Sequence, residues 1–318
     1  MCTYGVVDGA ADGSSPDSSG SPQRGDAVAA NHFRFVRTNA LNLSGYSLFK
    51  PHILLKILDA IQFQKVFTEG GRTKPWLIQV AVNGERRPYV AKIFTTDEVD
   101  DENTVAREVF GSVLAGQFDL STPDIALVRF TKSFVNTLPN EIRQQLLQKD
   151  DRLKFGSAYL PNTQLFVSSK KIHIADLKYN TASIYAFDTI INNKDRGLYK
   201  PNILVSNASD DYYLIDHERA FKHITKLNKE VQIEEFSEVF REHLFYQDLK
   251  SRKDKRDLFS NFHASLKCFN TNILDKYQDV LSVNDLGHSN FDEIKSYLVT
   301  LKKKYIWVEK MLYNTLSE

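Results

Sequence analysis

Asp195, Asn202 and Asp216 are the residues of this chain whose types and spacing could carry chemistry. Asp195 sits in a polar run, Asn192-Asn193-Lys194-Asp195-Arg196-Gly197. Asn202 follows seven positions later, directly before the apolar, strand-like run Ile203-Leu204-Val205. Asn207-Ala208-Ser209-Asp210-Asp211 is rich in turn formers and should reverse the chain. A second strand, Tyr212 to Ile215, then delivers Asp216 at its end. The hairpin therefore brings Asp216 back beside Asn202 and Asp195. Phosphoryl transfer needs this equipment: one carboxylate to orient and deprotonate an acceptor hydroxyl, and an amide with a second carboxylate to hold Mg²⁺ on nucleotide phosphates.

A lysine on an early strand and an acid on a helix would complete such a site. Leu77 to Val82 and Pro88 to Phe94 read as strands on either side of Asn83-Gly84, a strong hairpin turn. Strand alternation puts Val90, Lys92 and Phe94 on one face. A lysine between apolar neighbours is unusual, because a buried ammonium needs a partner. After an acidic loop, Asp97 to Glu102, the pattern predicts a helix over Thr104 to Phe118, with Val105, Val109, Phe110, Val113 and Leu114 as its apolar stripe. Glu108 flanks that stripe within reach of Lys92. Upstream, the run Glu69-Gly70-Gly71-Arg72-Thr73-Lys74-Pro75-Trp76 offers Gly71 and Thr73 for a turn whose backbone N–H groups cradle phosphate. An ordinary Gly-Gly hairpin turn reads equally well there. No Walker loop is present.

At these residues the chain resembles the HipA-like kinases, and more widely the protein-kinase and phosphoinositide-kinase superfamily. Phe187 to Arg196 is similar to the family's helix running into an Asn-x-x-Asp-Arg catalytic loop, and Leu214-Ile215-Asp216-His217 to its metal-binding strand end. One departure concerns the metal-binding Asn, which the family usually places five residues after the catalytic Asp. That position is Lys200 here, and the nearest Asn is Asn202. Either the loop is two residues longer and Asn202 binds metal, or the metal Asn is missing; the strand directly after Asn202 favours the first. The Arg also follows the Asp, as in phosphoinositide kinases.

Composition is compatible with this resemblance. The chain has 318 residues, 42% of them hydrophobic, enough to bury two cores. A net charge of +1 gives no electrostatic case for nucleic acid or a membrane surface. Cys2 and Cys268 offer neither a disulfide framework nor a zinc spacing. Without an apolar leader or a run of 18 apolar residues, no membrane span is expected and a reducing, cytoplasmic setting is the default. Residues 8 to 30 have little to bury and read as a disordered tail. Helices are expected over Glu234 to Leu249, Leu258 to Phe269 and Phe291 to Leu316, with a break from Asp285 to Asn290. Phe236, Phe240, Leu244 and Phe245 read as core.

The resemblance implies an α+β, two-lobed protein-kinase-like fold. A tail over 1–30 would precede a small β-rich N-lobe over 31–160 and a mostly helical C-lobe over 161–318, with Phe155 to Leu160 as the hinge near the adenine. It implies ATP and Mg²⁺. Asp195 would be the catalytic base, and Asn202 and Asp216 the metal ligands. Lys92, fixed by Glu108, would meet the α/β-phosphates, with Gly71 and Thr73 in the covering turn. Lys200 or Arg196 would face the transferring group. The implied acceptor is a Ser or Thr of a protein. A lipid or small-molecule acceptor is the enzymatic alternative, and a nucleotide-binding pseudokinase acting as an interaction module is the non-enzymatic one. Some HipA-like kinases are toxins, but no partner antitoxin is identifiable from the sequence.

Overall fold

A computed structural model describes residues 55–68, 73–166, 180–236 and 240–317. The tail over 1–30 and Gly71 lie outside the described residues. The N-terminal part is β-rich. Its five strands are β1 (Lys56–Val66), β2 (Trp76–Val82), β3 (Glu85–Lys92), β4 (Ile125–Arg129) and β5 (Lys154–Ala158). They close into a barrel in the order β1-β2-β3-β5-β4. Closure was not expected from the sequence. It comes from parallel pairing of β1 with β4, which places Lys56 to Asp59 opposite Ala126 to Arg129; the other pairs are antiparallel. Alternation fills the barrel: Ile78, Val80 and Val82 of β2, Tyr89 and Ala91 of β3, and Leu58, Ala60, Ala126 and Val128 form one apolar cluster. Asn83 and Gly84 both have positive φ (51° and 84°), as the two-residue turn between β2 and β3 requires. Gly156 lets β5 pass between β3 and β4, because a Cβ there would lie 2.6 Å from Val128 Cγ2.

Local capping chemistry starts the first helix. The stretch expected as an acidic loop starts with helix α1 (Thr96–Asp100). Thr95 and Glu98 make a capping box: the Thr95 N–H donates to Glu98 Oε2 at 2.8 Å, and the Glu98 N–H to Thr95 Oγ1 at 3.3 Å. Helix α2 (Thr104–Gln117) matches the expected helix closely. Val105, Val109, Phe110 and Leu114 are buried in the larger apolar cluster shared with the C-terminal helices. Phe118, just past its end, stacks on Phe262 at a centroid distance of 5.0 Å. Helices α3 (Lys132–Thr137) and α4 (Asn140–Leu146) follow β4, and Phe134 and Leu138 join the barrel core.

Downstream, β6 (Thr163–Leu165), β7 (Ile203–Ser206) and β8 (Tyr212–Leu214) form a small antiparallel sheet in that order. The rest is helical: α5 (Thr181–Ile190), α6 (Ile224–Ile233), α7 (Tyr246–Ser251), α8 (Ser260–Cys268), α9 (Asp275–Val283), α10 (Phe291–Lys303) and α11 (Tyr305–Thr315). Two expected helices are corrected. Among its described residues, the one over Glu234 to Leu249 is helical only from Tyr246. Before it, the Leu244 N–H donates to Arg196 O at 2.9 Å and His243 bridges Gly197, so this backbone is used to hold the loop that carries Asp195. Phe240, Leu244 and Phe245 are nevertheless buried, as expected. The helix over Phe291 to Leu316 divides at Lys304 into α10 and α11. The protein is thus of mixed α+β class, β-rich first and helical after. Among the described residues no helix is long and apolar enough to cross a membrane.

Candidate active site

Lys92 ends β3 on the face opposite Tyr89 and Ala91, so the barrel core does not receive its side chain. Its Nζ instead meets three carboxylates. It donates to Glu108 Oε1, to Asp216 Oδ1 at 2.5 Å and to Glu218 Oε2 at 3.4 Å. Burial alone would lower the Lys92 pKa, but Asp216, Glu108 and Glu218 outweigh it and hold the pKa above the usual lysine value. Glu108 is 1% exposed on the inner face of α2. Burial pushes its carboxyl up, against the pull of Lys92. Its second oxygen accepts the His217 backbone N–H at 3.0 Å. One helix glutamate therefore touches both the β3 lysine and the residue after Asp216.

Asp195, Asn202 and Asp216 meet as the hairpin predicts. Ile215 donates its N–H to Asn202 O at 3.0 Å, tying the entry of β7 to the exit of β8. Asn202 Nδ2 donates to Asp195 O and to Asp195 Oδ2, each at 3.2 Å. Lys200 Nζ sits 2.7 Å from Asp195 Oδ2 and 3.5 Å from Asp216 Oδ2. Burial lowers the Lys200 pKa, but the bond to Asp195 and the charge of Asp216 give a net rise. Asp216 would be raised by burial; Lys92 and Lys200 instead hold it well below the usual carboxylate range. Asn202 and Asp216 both adopt left-handed backbone, with φ of 50° and 65°. Asn and Asp tolerate that region better than other residues with a Cβ, yet two such residues in one site are a local cost that surrounding contacts must meet.

Arg196 does not face the transferring group. It is 1% exposed and turned inward. Its Nε donates to Asp188 Oδ2 at 2.6 Å, and its Nη1 donates to the backbone oxygens of Asn202, of Pro201 (3.3 Å) and of Ile215 (3.5 Å). Asp188, on α5, also accepts from Asn193 Nδ2 at 3.1 Å and lies 3.1 Å from His243 Nε2. His243 Nδ1 accepts the Phe245 N–H, so Nε2 carries the proton toward Asp188. Against the effect of burial, Arg196 and His243 hold the Asp188 pKa down to about 2.

The structure brings together Lys92, Glu108, Asp195, Lys200, Asn202 and Asp216. Thr73, partly buried, precedes β2 and has no described contact with them; Gly71 lies outside the described residues. Phe155 to Leu160 begins on β5, whose Phe155 pairs with Lys92. Three partners escaped the sequence reading. Glu218 stands two residues beyond Asp216, and that spacing returns it to Lys92. Arg219 Nε lies 3.6 Å from Asp195 Oδ1. Asp188 is fully buried as the one charged residue of helix α5, the available signal that a buried cation must lie nearby.

No curated protein matches the chain. Among solved structures it is similar to the crystal structure of a Helicobacter pylori proinflammatory kinase, CtkA. Identity is 13%, coverage is 81% of this chain and 98% of that one, and the TM-score is 0.45. The sequence profile described as HipA-like kinase matches residues 61–310, which contain every residue of the site above. The chain belongs to the HipA-like kinase family.

Proposed function

We propose that this protein is an ATP- and Mg²⁺-dependent kinase of two-lobed architecture that transfers the γ-phosphoryl group to a Ser or Thr hydroxyl of a protein. The observation that carries this reading is the convergence of a strand lysine, a helix glutamate, two loop carboxylates and a loop amide. They come from separate stretches of chain and form one connected polar cluster. The donor set fits a hard divalent cation. Glu108, Asp195, Asp216 and Glu218 face Lys92, Lys200 and Arg219, so an anionic triphosphate meets excess negative charge unless a cation accompanies it. Asn202 and Asp216 would hold Mg²⁺, which would supply neutralisation of the β- and γ-phosphate oxygens.

The side chains then divide the work. Lys92 stays protonated and meets the α/β-phosphates, with Glu108 fixing its rotamer. Asp195 Oδ2 is hydrogen-bonded by Lys200 and Asn202, whereas Oδ1 has only the longer 3.6 Å ion pair with Arg219, so Oδ1 is the oxygen for the acceptor. The acceptor hydroxyl donates to Oδ1 and gives up its proton there as its oxygen bonds to the γ-phosphorus and the bond to the β-phosphate oxygen breaks, releasing ADP. Lys200, between Asp195 and Asp216, is placed to face charge on the transferring group. Leu198 and Tyr199 stand exposed in the same loop, and an open lip suits a polypeptide acceptor better than an enclosed small molecule. Transfer of labelled γ-phosphate to a general protein substrate tests the reading. Asp195→Asn is expected to keep fold and ATP affinity while lowering transfer by about 10²-fold or more. Near-normal transfer by that variant would remove Asp195 as the base. ATP binding without transfer to any acceptor by the unsubstituted chain would favour the pseudokinase.

A further inference from the structure

We propose that Arg196 is a positioning residue that sets the backbone of both Asn202 and Asp216, with Asp188 and His243 as its anchor. The proposal rests on the assignment of those two residues as metal ligands. Asn202 and Asp216 enter the site from opposite ends of the β7–β8 hairpin, and both occupy left-handed backbone. Left alone, such residues relax toward the commoner φ < 0 regions, which would re-aim both side chains. One guanidinium prevents this at both ends. It bonds the carbonyl of Asn202 itself, that of Pro201 before it, and that of Ile215, the residue before Asp216.

The geometry needs arginine. The side chain reaches Asp188 through Nε and Nη2 and the three carbonyls through Nη1, so one planar group faces two directions at once. A lysine ammonium is a point donor and cannot span them. The clamp is itself rigid. Its side chain and that of Asp188 are both 0% exposed, and His243 and Asn193 close the remaining sides of the Asp188 carboxylate. Among the described contacts, the side chains of Arg196, Asp188, His243 and Asn193 do not touch the Asp195 carboxylate, so Arg196 acts on the cation site through the backbone of Asn202 and Ile215.

The test separates cation binding from adenosine binding. Mn²⁺ affinity of the full chain is measured by electron paramagnetic resonance in the presence of ATP, and the affinity of uncharged adenosine by calorimetry without metal. Arg196→Lys keeps a charge for Asp188 but loses the fork. It is expected to weaken Mn²⁺ binding at least tenfold while adenosine affinity changes less than about twofold. If Arg196→Lys does not reach a folded state, as judged by near-ultraviolet circular dichroism, Asp188→Asn is read in its place with the same expectation. A merely structural role would move both affinities together or neither, and either result overturns the proposal. Loss of nucleotide-dependent Mn²⁺ binding already in the unsubstituted chain would overturn the kinase reading and this proposal with it. Normal binding that survives the substitution overturns this proposal alone.

Discussion

Gly111 offers the most direct test of how α2 is coupled to the loop of Asp216. It lies in the middle of α2, one turn after Glu108, and faces His217. A Cβ at position 111 would sit 2.6 Å from His217 Cγ and closer still to His217 Cβ. Carbon atoms rest comfortably at about 3.5–4.0 Å, so Gly111→Ala requires α2 and the 216–218 loop to part by about 1 Å. His217 is fully buried and cannot swing aside. Two effects then oppose each other in stability. Alanine in a helix interior gains about 1 kcal/mol over glycine, while overpacking costs about 1–3 kcal/mol. The net change is a loss of about 0–2 kcal/mol, small enough to leave the protein folded. Activity has no such compensation. The same displacement pulls Glu108 from Lys92 and from the His217 N–H, and a misplacement of about 1 Å costs about 10²-fold in rate. Thermal denaturation and γ-phosphate transfer, measured on the same preparation, are expected to show a modest shift in Tm and a loss of about two decades in kcat. Normal transfer by a folded Gly111→Ala variant would refute the claim that α2 sets the geometry at Asp216.

Two further outcomes are expected. If Asn202 supplies the amide oxygen to the cation, Asn202→Ala raises the Mg²⁺ concentration needed for turnover, whereas Lys200→Ala weakens ATP binding with little change in metal dependence; a metal titration of both variants decides, and an unchanged Asn202→Ala would reassign it to capping the turn before β7. His288 is buried against Phe110, and burial followed by the nearby Arg107 lowers its pKa to about 3. The unfolded chain therefore binds the extra proton first, so the His288 contribution is flat above its unfolded pKa and turns destabilising as pH falls below about 6.5. The penalty reaches on the order of 2 kcal/mol at pH 5, and His288→Gln is expected to shrink the loss of stability between pH 7 and pH 5 by that amount in chemical denaturation, an equal loss in both proteins being the contrary result.

The parts of this protein that were legible in the sequence are those governed by local rules. Asn83-Gly84 needed only the preference of its two residues for positive φ, and β2 and β3 followed from it. The α2 stripe needed only helical period, and the β7–β8 hairpin only a turn cluster between two apolar runs. Because those elements were placed correctly, the residues riding on them could be grouped without any long-range information. Closure of the barrel was hidden for the opposite reason. It depends on β1 pairing in parallel with β4, Lys56 opposite Ala126, and no local signal states which strand edges will meet. The capping box at Thr95 and Glu98 was readable but was overridden by the acidity of its neighbours.

Arg196 illustrates a subtler limit. Its position beside Asp195 made it look like a group for the transferring phosphate, since a charged residue next to a loop carboxylate is normally read as solvent-facing. The contrary signal was Asp188, the one charged residue of the mostly apolar helix end Tyr185-Ala186-Phe187-Asp188-Thr189-Ile190. A buried carboxylate without a cation is far more costly than any helix preference, so the sequence already required a cation to turn inward, and Arg196, eight residues on, is the one that does so. What the sequence could not supply is the other half of the argument: the three carbonyls that the same guanidinium holds belong to residues brought there by the hairpin. The left-handed backbone at Asn202 and Asp216 and the buried charge at Arg196 are thus, on the proposal above, a single feature in which one buried ion pair holds the carbonyls beside two unfavourable backbone conformations.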